Sequence, residues 1–106
     1  MVVNWINHCR SSFVLIEVNP EKLLRLADNT QGDFTPKKDR LERLLDRFIN
    51  GDKEMDAPIV GKTFRGGISF TDGRHRATLA ARLRMTAIKI AVYPEERSYI
   101  ERILKS

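Results

Sequence analysis

Basic residues crowd the start of one predicted helix, in the stretch SFTDGRHRATLAARL from Ser69 to Leu83, where Arg74, His75 and Arg76 follow Gly73. A helix start has free backbone N–H groups and about half a positive charge, so acidic side chains are normally favoured there. Free N–H groups, a glycine that allows close approach and a neighbouring arginine together suit a phosphate. The pattern therefore predicts a phosphate-binding turn formed by Gly73, Arg74, His75 and Arg76.

The helical position of Arg76 allows a second interpretation. At about 100° per residue, Arg76 falls on the same side of the helix as Leu79 and Leu83, which form its apolar stripe. A guanidinium buried at the positive end of a helix needs an anionic partner. That partner is either a ligand phosphate or a carboxylate of the protein, such as Glu17 or Asp72, and the sequence leaves both open.

Two residues of this turn have side chains that could transfer a proton. His75 could contact a phosphate or move a proton, and Asp72 could cap the helix, pair with Arg76 or approach a metal ion. We therefore take His75 and Asp72 as the candidate catalytic residues.

The sequence predicts no metal site built by the protein alone. His8, Cys9 and His75 do not supply four zinc ligands at a familiar spacing. Acids that could assist Mg²⁺ beside a bound triphosphate are Asp33, Asp39 and Glu42. Solvated charges on a loop and a helix face are the favoured explanation of these three acids.

Eight predicted elements position the turn, in the order strand, helix, helix, strand, strand, helix, strand, helix. Hydrophobic periodicity, caps and turn residues place their limits. These are a strand over Ser12–Asn19, helices over Pro20–Ala27 and Pro36–Ile49, strands over Pro58–Phe64 and Gly67–Thr71, a helix from Gly73 to about Met85, a strand over Thr86–Tyr93 and a helix over Pro94–Lys105.

Length and composition favour one folded domain over residues 1–106, with residues 1–11 as an N-terminal extension. The 106 residues are 42% hydrophobic and include one cysteine, Cys9, which excludes an internal disulfide. No apolar run is long enough to span a bilayer, and the stretch MVVNWINHCR lacks the basic region and long apolar run typical of a secretory leader. We predict a cytoplasmic protein of the α+β class, with a small mixed sheet, packed helices and no membrane partner.

The positive charge is concentrated in the second half of the chain. Residues 1–57 hold 9 Lys and Arg against 10 Asp and Glu, a balance of −1, whereas residues 58–106 hold 10 against 4, a balance of +6. An anionic partner is therefore expected at the second half. Arg82, Arg84 and Lys89 could form a sequence-independent nucleic-acid face there.

The segment from Ala57 to Val92, APIVGKTFRGGISFTDGRHRATLAARLRMTAIKIAV, resembles the ParB/sulfiredoxin superfamily. In that superfamily a Pro-Ile strand is followed by a hairpin, a Gly-x-x-Arg or Gly-x-His-Arg turn, an Ala-rich helix and an apolar strand. At 106 residues, we expect no DNA-reading or dimerisation domain of the kind that follows in chromosome-partition ParB proteins. What remains resembles the small stand-alone ParB-like proteins often attributed to plasmids and phages.

The resemblance implies that a nucleoside triphosphate, CTP or ATP, binds with its phosphates at the turn. Gly73, His75 and Arg76 match the motif of the superfamily. Ala57 and Pro58 match the segment that lies near the nucleotide base in ParB proteins. Sulfiredoxins use ATP to repair an oxidised cysteine, and ParB relatives hydrolyse CTP.

One position departs from both patterns. Sulfiredoxins have their nucleophilic cysteine, and ParB proteins a glutamate, where this chain has Arg74. Repair of sulfinic acids is therefore not expected, and hydrolysis stays open.

Three functions follow as hypotheses. The first is a nucleotide-binding domain, with Mg²⁺ accompanying the nucleotide, that acts as an NTP hydrolase or nuclease in DNA, plasmid or phage biology. The second is a non-enzymatic DNA-binding module that uses the basic second half of the chain. The third is a protein-interaction or inhibitor module with a degenerate pocket.

Overall fold

The computed structural model describes residues 3–7, 12–27, 37–50 and 54–105, and of residues 48 and 49 it describes the backbone alone. The strands are β1 Asn4–Ile6, β2 Val14–Val18, β3 Glu54–Asp56, β4 Ile59–Lys62, β5 Ile68–Asp72 and β6 Ile88–Val92. The helices are α1 Pro20–Leu26, α2 Lys38–Ile49, α3 Arg74–Arg82 and α4 Arg97–Lys105, with a 3₁₀ turn over Pro94–Glu96 before α4.

The larger sheet has four strands in the order β2-β6-β4-β5. β6 is antiparallel to β2 and parallel to β4, while β4 and β5 form an antiparallel hairpin, so the sheet is mixed. Apolar residues of this sheet form the main core together with residues of α1, α3 and α4. Its completely or almost completely buried members include Leu23, Val60, Ile68, Ile90 and Ile100.

A second, two-stranded sheet pairs β1 with β3 in parallel. Trp5 of β1 packs against both the main core and a smaller cluster formed by Leu41 of α2, Met55 of β3 and Leu79 of α3. The sequence indicated no element in residues 1–11, because three residues are too few to show a period. This pair of strands fixes α2 beside the start of α3.

The α+β class with a small mixed sheet, expected from the sequence, is confirmed. The cap of α1 also forms as expected, since Asn19 Oδ1 accepts a hydrogen bond of 3.0 Å from the Lys22 N–H and Pro20 begins the helix. α3 ends at Arg82, three residues earlier than expected. The backbone turns at Arg84, which has a φ of +59°.

Several sequence expectations fall outside the described residues. They concern His8, Cys9, Asp33 and the predicted start of the second helix at Pro36. No helix in the part of the chain that the structure describes has the length and apolar character to cross a membrane.

Candidate anion-binding cleft

The turn between β5 and α3 is built on Gly73, whose φ is +89°. A Cβ at this position would lie 2.7 Å from the Pro58 Cα and 2.8 Å from Arg76 Nη2. Glycine therefore serves two purposes here, because it adopts the left-handed conformation and allows the chain to pass close to Pro58. α3 begins directly after Gly73, at Arg74, so the turn stands at the N-terminus of a helix, as the sequence predicted.

Arg76 has protein carboxylates as partners. Its Nη2 donates a hydrogen bond of 3.0 Å to Asp72 Oδ2, and its Nη1 lies 3.7 Å from Asp56 Oδ2. The Arg76 side chain is 16% exposed, as its inward helical position predicted. The carboxylate alternative is thus confirmed for Asp72, while Asp56 was missed because it is remote in sequence.

Asp72 does not cap α3, which was one of the three roles that the sequence left open for it. Gly73 occupies the cap position and no side chain accepts a hydrogen bond there. Asp72 lies in β5, where the register with β4 shifts between Ile59 and Val60. A regular strand would turn consecutive side chains to opposite faces, but at this irregularity Thr71 and Asp72 are both exposed. The Asp72 carboxylate thereby reaches Arg76.

His75 joins the start of α3 to the start of α2. Its Nε2 accepts a hydrogen bond of 3.2 Å from the backbone N–H of Lys37. Partial burial lowers the pKa of His75, and the positive charges of Arg40 and Lys37 lower it further. An imidazole nitrogen accepts a hydrogen bond only when it is unprotonated, so the geometry and the pKa both favour neutral His75.

Arg74 lies on a different side of α3 from Arg76. Its guanidinium lies over the Phe70 ring, 5.4 Å from the ring centroid. Burial lowers the pKa of Arg74 from its ordinary value. The residue at this position therefore packs on β5 and does not line the cleft described next.

A cleft of about 780 Å³ opens between α2, β3 and the β5–α3 turn. Its lining brings together Asp72, Gly73, His75 and Arg76 from the predicted site. It also contains residues that the sequence analysis did not select. These are Ile6, Arg40, Arg43, Leu44, Arg47, Glu54, Met55 and Asp56.

The three arginines of α2 come from the half of the chain with no basic excess, so basic side chains of both halves line the cleft. At about 100° per residue, Arg40, Arg43 and Arg47 share one stripe of α2. The acids Asp39 and Asp46 fall on a neighbouring stripe and cancel the arginines in a count along the sequence. A helical projection of α2 would have shown this separation.

Ala57 and Pro58 lie behind the turn and not on the cleft surface. Ala57 is 3% exposed, and Pro58 is fully buried against Gly73. Their backbones join the two sheets, because the Ala57 N–H donates to the Ile6 carbonyl and the Pro58 carbonyl accepts from the Ala91 N–H, both at 2.8 Å. Contact of these two residues with a base stays a prediction, and the structure gives them a supporting position.

Arg82, Arg84 and Lys89 are exposed at the opposite end of α3. Arg82 and Arg84 share a concavity with Glu21, and Arg84 and Lys89 share a second one with Glu17. The three cations are thus neighbours on a surface that also carries acids. Their contact with nucleic acid stays a prediction.

Within the described ranges, no group of three or more His, Cys, Asp or Glu side chains is arranged to hold a metal ion. Of the acids considered for Mg²⁺, Glu42 forms an exposed ion pair with Lys38 at 3.9 Å. The carboxylates that do converge at the turn are those of Asp56 and Asp72, on either side of the Arg76 guanidinium.

The fold and the cleft thus define a small α+β domain with arginines gathered beside a glycine turn. No family model matches the sequence, and no curated protein matches it. Among solved structures, the chain is similar to the crystal structure of sulfiredoxin from Arabidopsis thaliana. The two share 18% sequence identity over 81% of this chain and 96% of that chain, with a TM-score of 0.49.

Proposed function

We propose that this protein binds a nucleotide in the cleft between α2 and the start of α3. The observation that carries the proposal is the convergence of Arg76, Arg40 and Arg43 on one cleft at the N-terminus of α3. Arginine side chains and a helix N-terminus are the groups that proteins use to bind phosphate. The cleft volume also falls in the range of small-molecule sites, about 300–1,000 Å³.

The carboxylates beside Arg76 hold its guanidinium at the cleft without using all of its donors. A guanidinium has five N–H donors, and one of them donates to Asp72 at hydrogen-bond distance. The side chains of Asp56 and Asp72 are 44% and 67% exposed, so solvent as well as Arg76 stabilises their charges. Arg76 is therefore held in position before the phosphate arrives, which lowers the entropy cost of binding.

The donor chemistry also fits Mg²⁺ accompanying a triphosphate such as CTP or ATP. Mg²⁺ in nucleotide sites commonly uses one or two carboxylates together with phosphate oxygens, and Asp56 and Asp72 are the carboxylates at this turn. The ion would neutralise charge on the phosphates. Hydrolysis of the nucleotide, or nuclease activity, is the further part of this hypothesis, with neutral His75 as the group able to accept a proton.

Calorimetric titration and thermal unfolding with CTP, ATP, GTP and UTP, each with and without Mg²⁺, test the proposal. A nucleotide at 100 times its Kd should raise the free energy of unfolding by about 2.7 kcal/mol. Arg76→Ala should weaken binding at least about tenfold, since a charge-assisted hydrogen bond contributes about 1.5–3 kcal/mol. Arg25→Ala, which removes an exposed arginine of α1 outside this cleft, is the matched control.

Absence of any shift at millimolar nucleotide would refute the proposal. It would favour the interaction-module hypothesis, in which the fold is kept and Arg76 only stabilises the turn. If a nucleotide binds, a second assay decides between binding alone and hydrolysis. It measures release of inorganic phosphate from the triphosphate, or cleavage of a labelled DNA strand.

A second function, DNA binding, is favoured by one observation at the other end of α3. Arg84 has a φ of +59°, in a conformation where glycine is preferred, and its side chain is exposed. Phosphate contacts would explain an arginine there. In that case DNA affinity would fall steeply with salt concentration. Replacement of Arg82, Arg84 or Lys89 would each reduce the slope of log affinity against log salt concentration by about one.

A further inference from the structure

Apolar side chains occupy part of the otherwise charged cleft. Ile6, Leu44 and Met55 line it together with the arginines of α2. Met55 is buried and packs in the smaller core cluster, and Leu44 is half-buried against that cluster. Ile6 differs from them because its side chain is exposed, at 38%.

Strand geometry directs Ile6 toward the cleft. Successive side chains of a strand point to opposite faces, and Trp5 of β1 packs into the core clusters. Ile6 lies opposite Asp56 in the register of β1 with β3. Since Asp56 Oδ2 is 3.7 Å from Arg76 Nη1, an exposed apolar side chain lies one strand away from the residue proposed to bind phosphate.

We infer that Ile6 and Leu44 form the base-binding surface for the bound nucleotide, an inference that rests on the proposed function. A nucleotide joins a charged end to a flat, largely apolar ring, and this cleft places a cationic turn beside an apolar patch. The planar guanidinium groups of Arg43 and Arg47, on the same wall as Leu44, can stack on an aromatic base. A phosphate chain without a base would leave Ile6 in water, whereas the base of a nucleotide would cover it. The apolar patch therefore favours a nucleotide over a bare phosphate chain.

This base-binding surface differs from the segment that the sequence resemblance placed near the base. Ala57 and Pro58 are buried beneath the turn, whereas Ile6 and Leu44 lie on the cleft surface. The base would therefore contact β1 and α2, with Ala57 and Pro58 supporting the turn from behind.

The test compares ATP with tripolyphosphate, which has the three phosphates of ATP but neither its ribose nor its base. The wild-type protein should bind ATP more tightly than tripolyphosphate. Ile6→Thr keeps a β-branched residue in the strand and should weaken ATP binding about three- to tenfold, with tripolyphosphate unchanged. Leu26→Thr changes an aliphatic residue of similar exposure, 36%, outside the cleft and should alter neither.

Three outcomes would overturn the inference. They are unchanged ATP affinity in Ile6→Thr, an equal loss for both ligands, and failure of the wild type to bind either ligand. The first two leave the proposed nucleotide function standing, whereas the third removes it as well. If Ile6→Thr lowers the melting temperature, Leu44→Gln on the α2 wall provides the same comparison from a different element.

Discussion

The close packing of Gly73 against Pro58 predicts a large loss of stability in Gly73→Ala. The substitution has two costs. An alanine at a φ of +89° is strained by about 1–2 kcal/mol, and its Cβ would meet the Pro58 Cα at 2.7 Å. Since that neighbour is backbone, relief requires the turn to move, which adds about 1–3 kcal/mol. We expect a total loss of about 2–5 kcal/mol in the free energy of unfolding.

Two other glycines separate these contributions. Gly66 has nearly the same φ, +90°, but the nearest atom to its Cβ would be the Tyr99 hydroxyl at 3.1 Å, at the end of a side chain that can shift. Gly61 has no positive φ, and its nearest contact would be an ordinary 3.7 Å. We therefore expect the loss to be largest for Gly73→Ala, smaller for Gly66→Ala and close to zero for Gly61→Ala.

Urea unfolding followed by the fluorescence of Trp5 measures all three variants. The gain from reduced freedom of the unfolded chain is common to every Gly→Ala change and cancels in the comparison. A difference between Gly73→Ala and Gly66→Ala of less than about 0.5 kcal/mol would refute the reasoning, because packing against Pro58 would then add nothing to the strain.

Three further changes have defined outcomes. Because the folded-state pKa of His75 is lowered, its contribution to stability is complete above the ordinary histidine pKa of about 6.5 and is lost as pH falls through the lower folded value. The free energy of unfolding should therefore fall less steeply with decreasing pH in His75→Gln than in the wild type. Identical pH profiles of the two proteins would contradict the hydrogen bond from Lys37. Arg84→Gly should raise the free energy of unfolding by about 0.5–1 kcal/mol in urea titrations, since glycine adopts the left-handed conformation without strain, and a destabilised variant would show that the arginine side chain itself holds this turn. Tyr99→Phe should lower the free energy of unfolding by about 1 kcal/mol because it removes the hydroxyl that donates to the Gly66 carbonyl, and an unchanged urea midpoint would contradict that contact.

The sequence predicted the elements that have their own local signal. The helix cap at Asn19, the hairpin of β4 and β5 and the alternation of β6 all depend on residues close together in the chain, and the structure has each of them. The strands β1 and β3 have three residues each, and what stabilises them is their pairing with each other. Pairing between residues 50 positions apart has no local signature.

The same distinction applies to the candidate site. The inward direction of Arg76 followed from helical periodicity, and its contact with Asp72 is a spacing of four residues within one segment. Asp56 and the arginines of α2 reach the turn only through the tertiary fold. Counting charge by halves of the chain concealed them, because α2 separates its acids from its arginines around the helix and not along it.

The most direct test of the central claim is a titration of ¹⁵N-labelled protein with ATP and Mg²⁺, followed by two-dimensional NMR. If the nucleotide binds at the cleft, amide shifts should concentrate at Gly73, Arg74 and His75 and along the arginine stripe of α2. Shifts that concentrate instead around Arg82, Arg84 and Lys89, or a spectrum that ATP leaves unchanged, would contradict it.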